Sequence, residues 1–181
     1  MRMIVDRTPL STTLPVDPEL VKLHIRLEEP AEYPEIETLI RTATAELEQA
    51  AQIALLHQTI RVNVIAPEDG RYLRLPIGPV RERPTVRLEG SGFTDFGFMP
   101  GVRSLICWGN AFHARRPDHV EIEYRAGFGG TMAHVPHDLA QAVMDQAGLL
   151  YQMRSAWTEK PWRHTSPHLS RIAARYRGVA V

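Results

Sequence analysis

The sequence predicts an α+β protein: mainly a helical bundle, with a small antiparallel β-sheet or hairpin insertion and an extended C-terminal tail. Three observations carry this. Residues 35–56 are alanine-rich with apolar positions at helical spacing. Residues 58–127 alternate with period two between Gly and Pro turns. Beyond Ser155 the composition turns to Trp, Lys, Pro, His and Arg with no evident apolar face. At 181 residues, 44% hydrophobic and 23% charged, the chain is long enough for one real core and is not composed like a disordered protein.

Asp17-Pro18-Glu19 opens the first helix, because Asp17 can accept from exposed amides and Pro18 suits a first position whose N–H has no partner. Leu20, Leu23, His24 and Leu27 repeat at helical spacing, which predicts a helix over 17–28. Ile36, Leu39, Ile40, Ala43, Leu47, Ala50, Ala51, Ala54 and Leu55 form one stripe, predicting a central helix over 35–56 with Arg41, Glu46, Glu48 and Gln52 on other faces.

After His57 the period changes to two. Ile60, Val62 and Val64 alternate with Arg61 and Asn63, and Glu68-Asp69-Gly70 marks a turn into a second strand at Tyr72–Leu75, predicting a hairpin. Thr85–Glu89 reads as a further strand, Gly90–Gly101 as a long loop or irregular hairpin, and Val120–Tyr124 as the last strand before the glycines at 127, 129 and 130. Pro136 starts a closing helix over 136–154, whose Leu139, Ala142, Val143, Ala147, Leu150 and Tyr151 should pack on the helix of 36–56. The domain reading is therefore a body over 1–154 and a tail over 155–181 that is ordered by a partner, so its removal should leave a folded body.

Charge is balanced in total but not along the chain. Residues 1–57 hold five Lys or Arg against ten Asp or Glu, whereas residues 154–181 hold six against one. A uniformly basic nucleic-acid binder differs from this; a subunit that meets neighbours through unlike ends fits it. The opening Met-Arg-Met-Ile-Val-Asp lacks a signal-peptide apolar run and no apolar run is long enough to span a bilayer, which predicts a chain kept in the bacterial cytosol or packed into a particle assembled there, with no membrane partner. Cys107 is the single cysteine, which excludes an intrachain disulfide or a thiolate zinc cage.

Catalytic, metal and cofactor sites are all expected to be absent. Gly127 and Gly129 would need a third glycine at Met132 for a dinucleotide turn, and no Lys-Ser/Thr follows for a phosphate loop. His134/His137 and His164/His168 flank prolines and lack the intervening Glu of a helical zinc site. Ser104, Cys107, His113 and Asp118 have no nucleophile-elbow context, and Glu121 with Glu123 reads as a solvated strand face. The tail is the candidate binding element: Trp157, Lys160, Trp162, Arg163, Arg171, Ile172, Arg175, Tyr176 and Arg177 combine aromatic anchors with cations. Such a segment can fill a protein groove or stack on nucleic acid, so a DNA-binding accessory protein is the alternative reading.

Taken in order, Pro18–Leu27, Glu35–Leu56, Gln58–Ile65 with Arg71-Tyr-Leu-Arg-Leu-Pro76, Trp108-Gly-Asn-Ala-Phe112, Arg116–Gly129 and Val135–Val143 resemble the phage head-tail connector (adaptor) family over about residues 14–154. Gene transfer agents, phage-like particles carrying host DNA, use similar adaptors. The resemblance implies a non-enzymatic virion component: a homo-oligomeric ring, twelve copies in the family. Its partners would be the portal protein on one side and a neck, stopper or tail-terminator protein on the other. Packaged double-stranded DNA would pass the lumen without sequence specificity, and the tail would dock into the portal.

Overall fold

The computed structural model describes residues 1–27, 33–153 and 165–177. The chain divides into two compact units, one of Met1–Ser11 with His57–Gly127 and one of Thr12–Leu56 with Phe128–Val181. The class is α+β as expected, and His57–Gly127 falls between the two segments of the helical unit, but the β-region is no small addition to a helical bundle. It makes a unit of its own, with eight strands in two antiparallel sheets.

In the helical unit, α1 (Pro18–Ile25) begins as expected: Asp17 accepts the Glu19 N–H at 3.0 Å and Pro18 takes the first turn. Arg26, in the left-handed region, closes it. The inward residue is Val21, fully buried, while Leu20 and Leu23 are exposed. α2 (Tyr33–Ala51) buries Ile36, Ile40, Ala43, Leu47 and Ala51 on one stripe. It stops five residues before Leu56, the expected end. Gln52 turns left-handed at φ 56°. The Glu48 carboxylate, buried rather than outward, accepts the Leu55 N–H at 2.7 Å, and the Glu48 carbonyl accepts from Ile53. Ile53, Ala54 and Leu55 remain fully buried without being helical, which is why apolar spacing alone overran the helix.

α4 (His137–Met153), which follows the short α3 (Asn110–Arg115) of the other unit, packs along α2 as expected, burying Leu139, Ala142, Val143 and Ala147. The larger departure is at the C-terminus. Residues 167–177 form a helix, α5 (Pro167–Arg177), packed on both α2 and α4 instead of an extended segment. Leu169, Ile172, Ala173 and Tyr176 recur at i, i+3, i+4 and i+7, and the first three are buried. Each of Leu169 and Ile172 contributes about 1.5–3 kcal/mol by leaving water.

In the β unit, β1 (Arg2–Pro9) pairs antiparallel with β2 (Gln58–Ile65), and β2 with β8 (His119–Ala126). β4 (Thr85–Leu88) then joins β8 and turns into β5 (Ser91–Phe93) through Glu89 and Gly90, both at positive φ, a two-residue hairpin geometry that matches strand twist. The sheet order is β1-β2-β8-β4-β5. Its inner face carries Val62, Ile122, Val86 and Phe93 in register; its outer face carries Arg61, Glu123, Asn63, Glu121 and Arg87.

The expected β2–β3 hairpin does not form. β3 (Tyr72–Arg74) instead joins β7 (Leu105–Trp108) and β6 (Phe96–Met99) in a second sheet of order β3-β7-β6. β2 already has partners on both edges, so β3 has no edge of it to take. Phe93, Phe96, Trp108 and Phe112 of α3 form the aromatic core, with Trp108 stacked on Phe112 at 4.1 Å between centroids and Arg83 lying 4.3 Å over Phe96.

Candidate functional site

Of the expected tail residues, Trp157, Lys160, Trp162 and Arg163 lie outside the described residues; Arg171, Ile172, Arg175, Tyr176 and Arg177 lie on α5. Ile172 is a correction: at 1% exposure it anchors α5 to its own unit and offers nothing to a partner. Arg171, Arg175 and Arg177 remain outward.

Four polar attachments hold α5 in place. Ser166, 7% exposed, accepts the Leu169 N–H with its Oγ at 3.0 Å, a side-chain cap immediately before Pro167. The Ser166 N–H donates to Gln146 Oε1 at 2.7 Å, and Gln146 Nε2 donates to Glu46 Oε2 at 2.7 Å, so one buried amide joins α2, α4 and the start of α5. Asp145 takes His168 Nδ1 of α5 at 2.5 Å and His24 Nε2 of α1 at 3.0 Å, and accepts from Gln141 Nε2 at 2.8 Å. At the far end the Tyr176 hydroxyl donates to Asp138 at 3.1 Å and Arg175 Nη1 lies 3.4 Å from the same carboxylate.

Burial pushes the Tyr176 hydroxyl above the usual phenol range. The bond to Asp138 and that residue's negative charge push the same way, against Arg175. Tyr124 in the β unit is also raised, chiefly by burial, although its oxygen accepts the Ile77 N–H at 3.3 Å.

The residues weighed for chemistry are engaged elsewhere. Ser104 is buried and its hydroxyl donates to the carbonyls of Gly101, at 2.8 Å, and Val80. His113 Nδ1 meets Asp69 at 2.8 Å on the surface, Cys107 lies half-buried on β7, and His134 Nδ1 bonds Thr131 at 2.9 Å. Among the described residues no group of three or more His, Cys, Asp or Glu is placed to hold a metal, and no helix is long and apolar enough to cross a membrane. Glu121 and Glu123 stand on the outer sheet face, where Arg61 Nε meets Glu123 at 2.7 Å and Arg125 pairs with Glu82. The arrangement as a whole is one of packing and pairing surfaces.

Sequence reasoning missed Asp138, Asp145, Gln146 and Ser166. A signal for them was present: Ser166-Pro167 is a helix-start pair, and 169, 172, 173 and 176 are helically spaced.

No protein-family model and no curated protein matches the chain. Solved structures do. A chain from the neck of an empty gene transfer agent (GTA) particle, computed with C6 symmetry, is similar at a TM-score of 0.74 and 24% identity, covering 98% of this chain and 97% of that one. A chain from the virion of a native GTA particle gives 0.73 and 23%, covering 97% and 96%. A chain from the neck of the native particle, computed with C12 symmetry, gives 0.70 and 23%, covering 100% and 97%. The protein thus shares one fold, along nearly its whole length, with chains of GTA necks and virions.

Proposed function

We propose that the chain is a non-enzymatic structural subunit of the neck of a phage or phage-like particle. In this reading it forms a ring, of twelve copies by the family resemblance, between the portal and the next neck or tail protein, with double-stranded DNA passing its lumen. The observation that carries this is the end-to-end likeness to GTA neck chains in which neither chain has a large part left over. The plain chemistry of the surface agrees: cyclic closure needs complementary patches, and the uneven charge along the chain supplies unlike ones.

We assign portal docking within the tail as follows. Since α5 is part of the helical unit, docking falls to Trp157, Lys160, Trp162 and Arg163, with the rings as anchors and the cations as a salt-sensitive rim. The experiment is electron microscopy of the full chain mixed with the portal of the same particle, wild type beside Trp157→Ala/Trp162→Ala. A ring seated on the portal, lost in the double variant with its circular dichroism intact, is the expected result. Portal binding unchanged in that variant would remove the docking assignment. Tight DNA binding without portal, falling steeply with salt, would replace the neck reading by the nucleic-acid one.

A further inference from the structure

The two edges of the five-stranded sheet are unlike. β5 is three residues long, whereas β1 runs for eight and, among the described residues, pairs only with β2. One step beyond the Pro9–Gln58 pair, the Leu10 N–H donates to the carbonyl of His57 opposite it at 3.1 Å. Antiparallel pairs alternate between bonded and non-bonded, so Arg2, Ile4, Asp6 and Thr8 turn their backbone groups toward β2. Met3 and Val5 turn theirs toward the open edge. One end of that edge is guarded: Pro9 has no N–H to offer there, and Arg7 sets a cation on the inner face, both devices that keep a strand from recruiting another. Met1–Val5, at the other end, has neither a proline nor an inward charge.

A cavity lies at that same unguarded end. It measures about 150 Å³ and is lined by Met3 together with Val64, Leu73, Trp108 and Val120, all four buried; Met1 and Tyr72, 55% and 58% exposed, also border it. On the inner face of the sheet the row Leu88, Val120 and Val64 is buried in register and ends at Met3, which is half-buried. An apolar cavity of about this volume takes up a group the size of benzene.

We infer that Met1–Val5 is a strand acceptor: an extended segment of a different protein of the particle pairs with this edge and sets one large apolar side chain into the cavity. The inference rests on the neck reading proposed above. The edge dictates the partner's form, since an extended backbone is what meets the N–H and C=O groups of Met3 and Val5, two residues apart. Register dictates its chemistry. A residue paired with Met3 lies on the same side of the sheet as Met3, beside Val64, so it is an apolar one such as Leu or Phe, and the segment alternates apolar residues inward.

The described strands of a second copy do not suit this role. β1 against β1 is a two-fold pairing, which closes on itself as a dimer and builds no ring. The remaining edge strands, β3, β5 and β6, have already sunk Leu73, Phe93 and Phe96 into their own core, so they have no inward anchor left to lend.

Val5→Pro probes the edge selectively. The Val5 N–H faces away from β2, so proline there removes a donor from the open edge and none from the sheet. The full chain is mixed with the portal and the other neck proteins of its particle, and hydrogen exchange is read at single amides. Met3 and Val5 should exchange at least about tenfold more slowly in the mixture than in the chain alone, with Ile4 and Asp6 protected in both. Val5→Pro should keep its circular dichroism and lose tenfold or more in affinity for the neighbour that protects the edge. A neck that assembles by microscopy with Met3 and Val5 unprotected, or a folded Val5→Pro chain that binds as wild type does, overturns the inference and leaves the neck reading standing. Protection already complete in the chain alone gives the edge to a second copy and overturns the assignment to a different protein. A chain that seats on none of those proteins overturns both readings. If Val5→Pro fails to fold, the wild-type exchange decides by itself.

Discussion

Gln146 Oε1 accepts the backbone N–H of Ser166 at 2.7 Å, across 20 residues of sequence and with no solvent exposure at the glutamine. The same amide donates to Glu46, so one side chain of α4 is bonded to two other segments. A buried amide is tolerated because both of its ends are paired.

Gln146→Leu should therefore cost about 2–4 kcal/mol, since it keeps the volume but strands a buried N–H and the Glu46 carboxylate. The loss should concentrate at α5. Hydrogen exchange at Leu169 and Ile172 amides would accelerate more than at Leu139 in α4, and equal acceleration everywhere would show that α5 is not a separately opening element.

The stacked pair at the centre of the β unit sets a second expectation. Phe112 is 2% exposed and Trp108 6% exposed, with ring planes within 6° of parallel. Phe112→Ala should destabilise by about 3–5 kcal/mol, read as a lower urea midpoint with near-UV circular dichroism bleached in the tryptophan band. Phe112→Leu, which fills part of the space, should cost less than half as much.

Gly109 precedes α3 and has no side chain to cap it. Asp95 does this instead, its Oδ2 accepting the Ala111 N–H at 3.0 Å. A Cβ at Gly109 would stand 2.4 Å from that carboxylate, so Gly109→Ala expels the cap. Both Gly109→Ala and Asp95→Ala should cost about 1 kcal/mol, the usual worth of a cap. The double variant should cost about the same as either alone, because both changes remove one interaction; additive losses in denaturant melts would contradict this.

Alkaline pH offers a fourth test. Tyr124 and Tyr176 have phenols raised above their ordinary value, by burial first, so the folded chain holds these protons more tightly than the unfolded chain. Their contribution is fully present below the unfolded phenol value of about 10 and is lost as pH rises through the folded values. Melting temperature should fall above pH about 10, and Tyr124→Phe should flatten that fall, though at a lower starting stability because the Ile77 N–H loses its acceptor. An unchanged alkaline slope in both Tyr124→Phe and Tyr176→Phe would assign the loss to other groups.

Several elements were legible before the structure, for identifiable reasons. The α1 start, the front of α2, β2, β4, β8 and α4 are governed by local rules: Asp17-Pro18 capping, the Ile36–Ala51 stripe, alternation in Ile60–Val64 and Val120–Tyr124, and Pro136 ahead of Leu139. What was illegible depended on partners far away. Leu20 and Val21 offer competing stripes on one helix, and packing on α4 decides between them. β1 was hidden because its inner positions include Arg7, whose Nε donates to Gln58 Oε1 at 3.0 Å instead of reading as apolar. Ile53–Leu55 are buried in a non-helical segment, which periodicity cannot distinguish from helix. At the binding element, the arginines and tryptophans of the tail masked the stripe of Leu169, Ile172 and Ala173 that ties part of it down.

The chain passes between its two units three times, after Ser11, Leu56 and Gly127. Emerging from a ribosome, β1 finds β2 only after some fifty more residues have been made. The groove of α2 and α4 waits longer still, because α5 is made after both of the helices that it covers. A nascent helical unit therefore carries an uncovered apolar seam until α5 emerges. Chains stalled between α4 and α5 should be sticky.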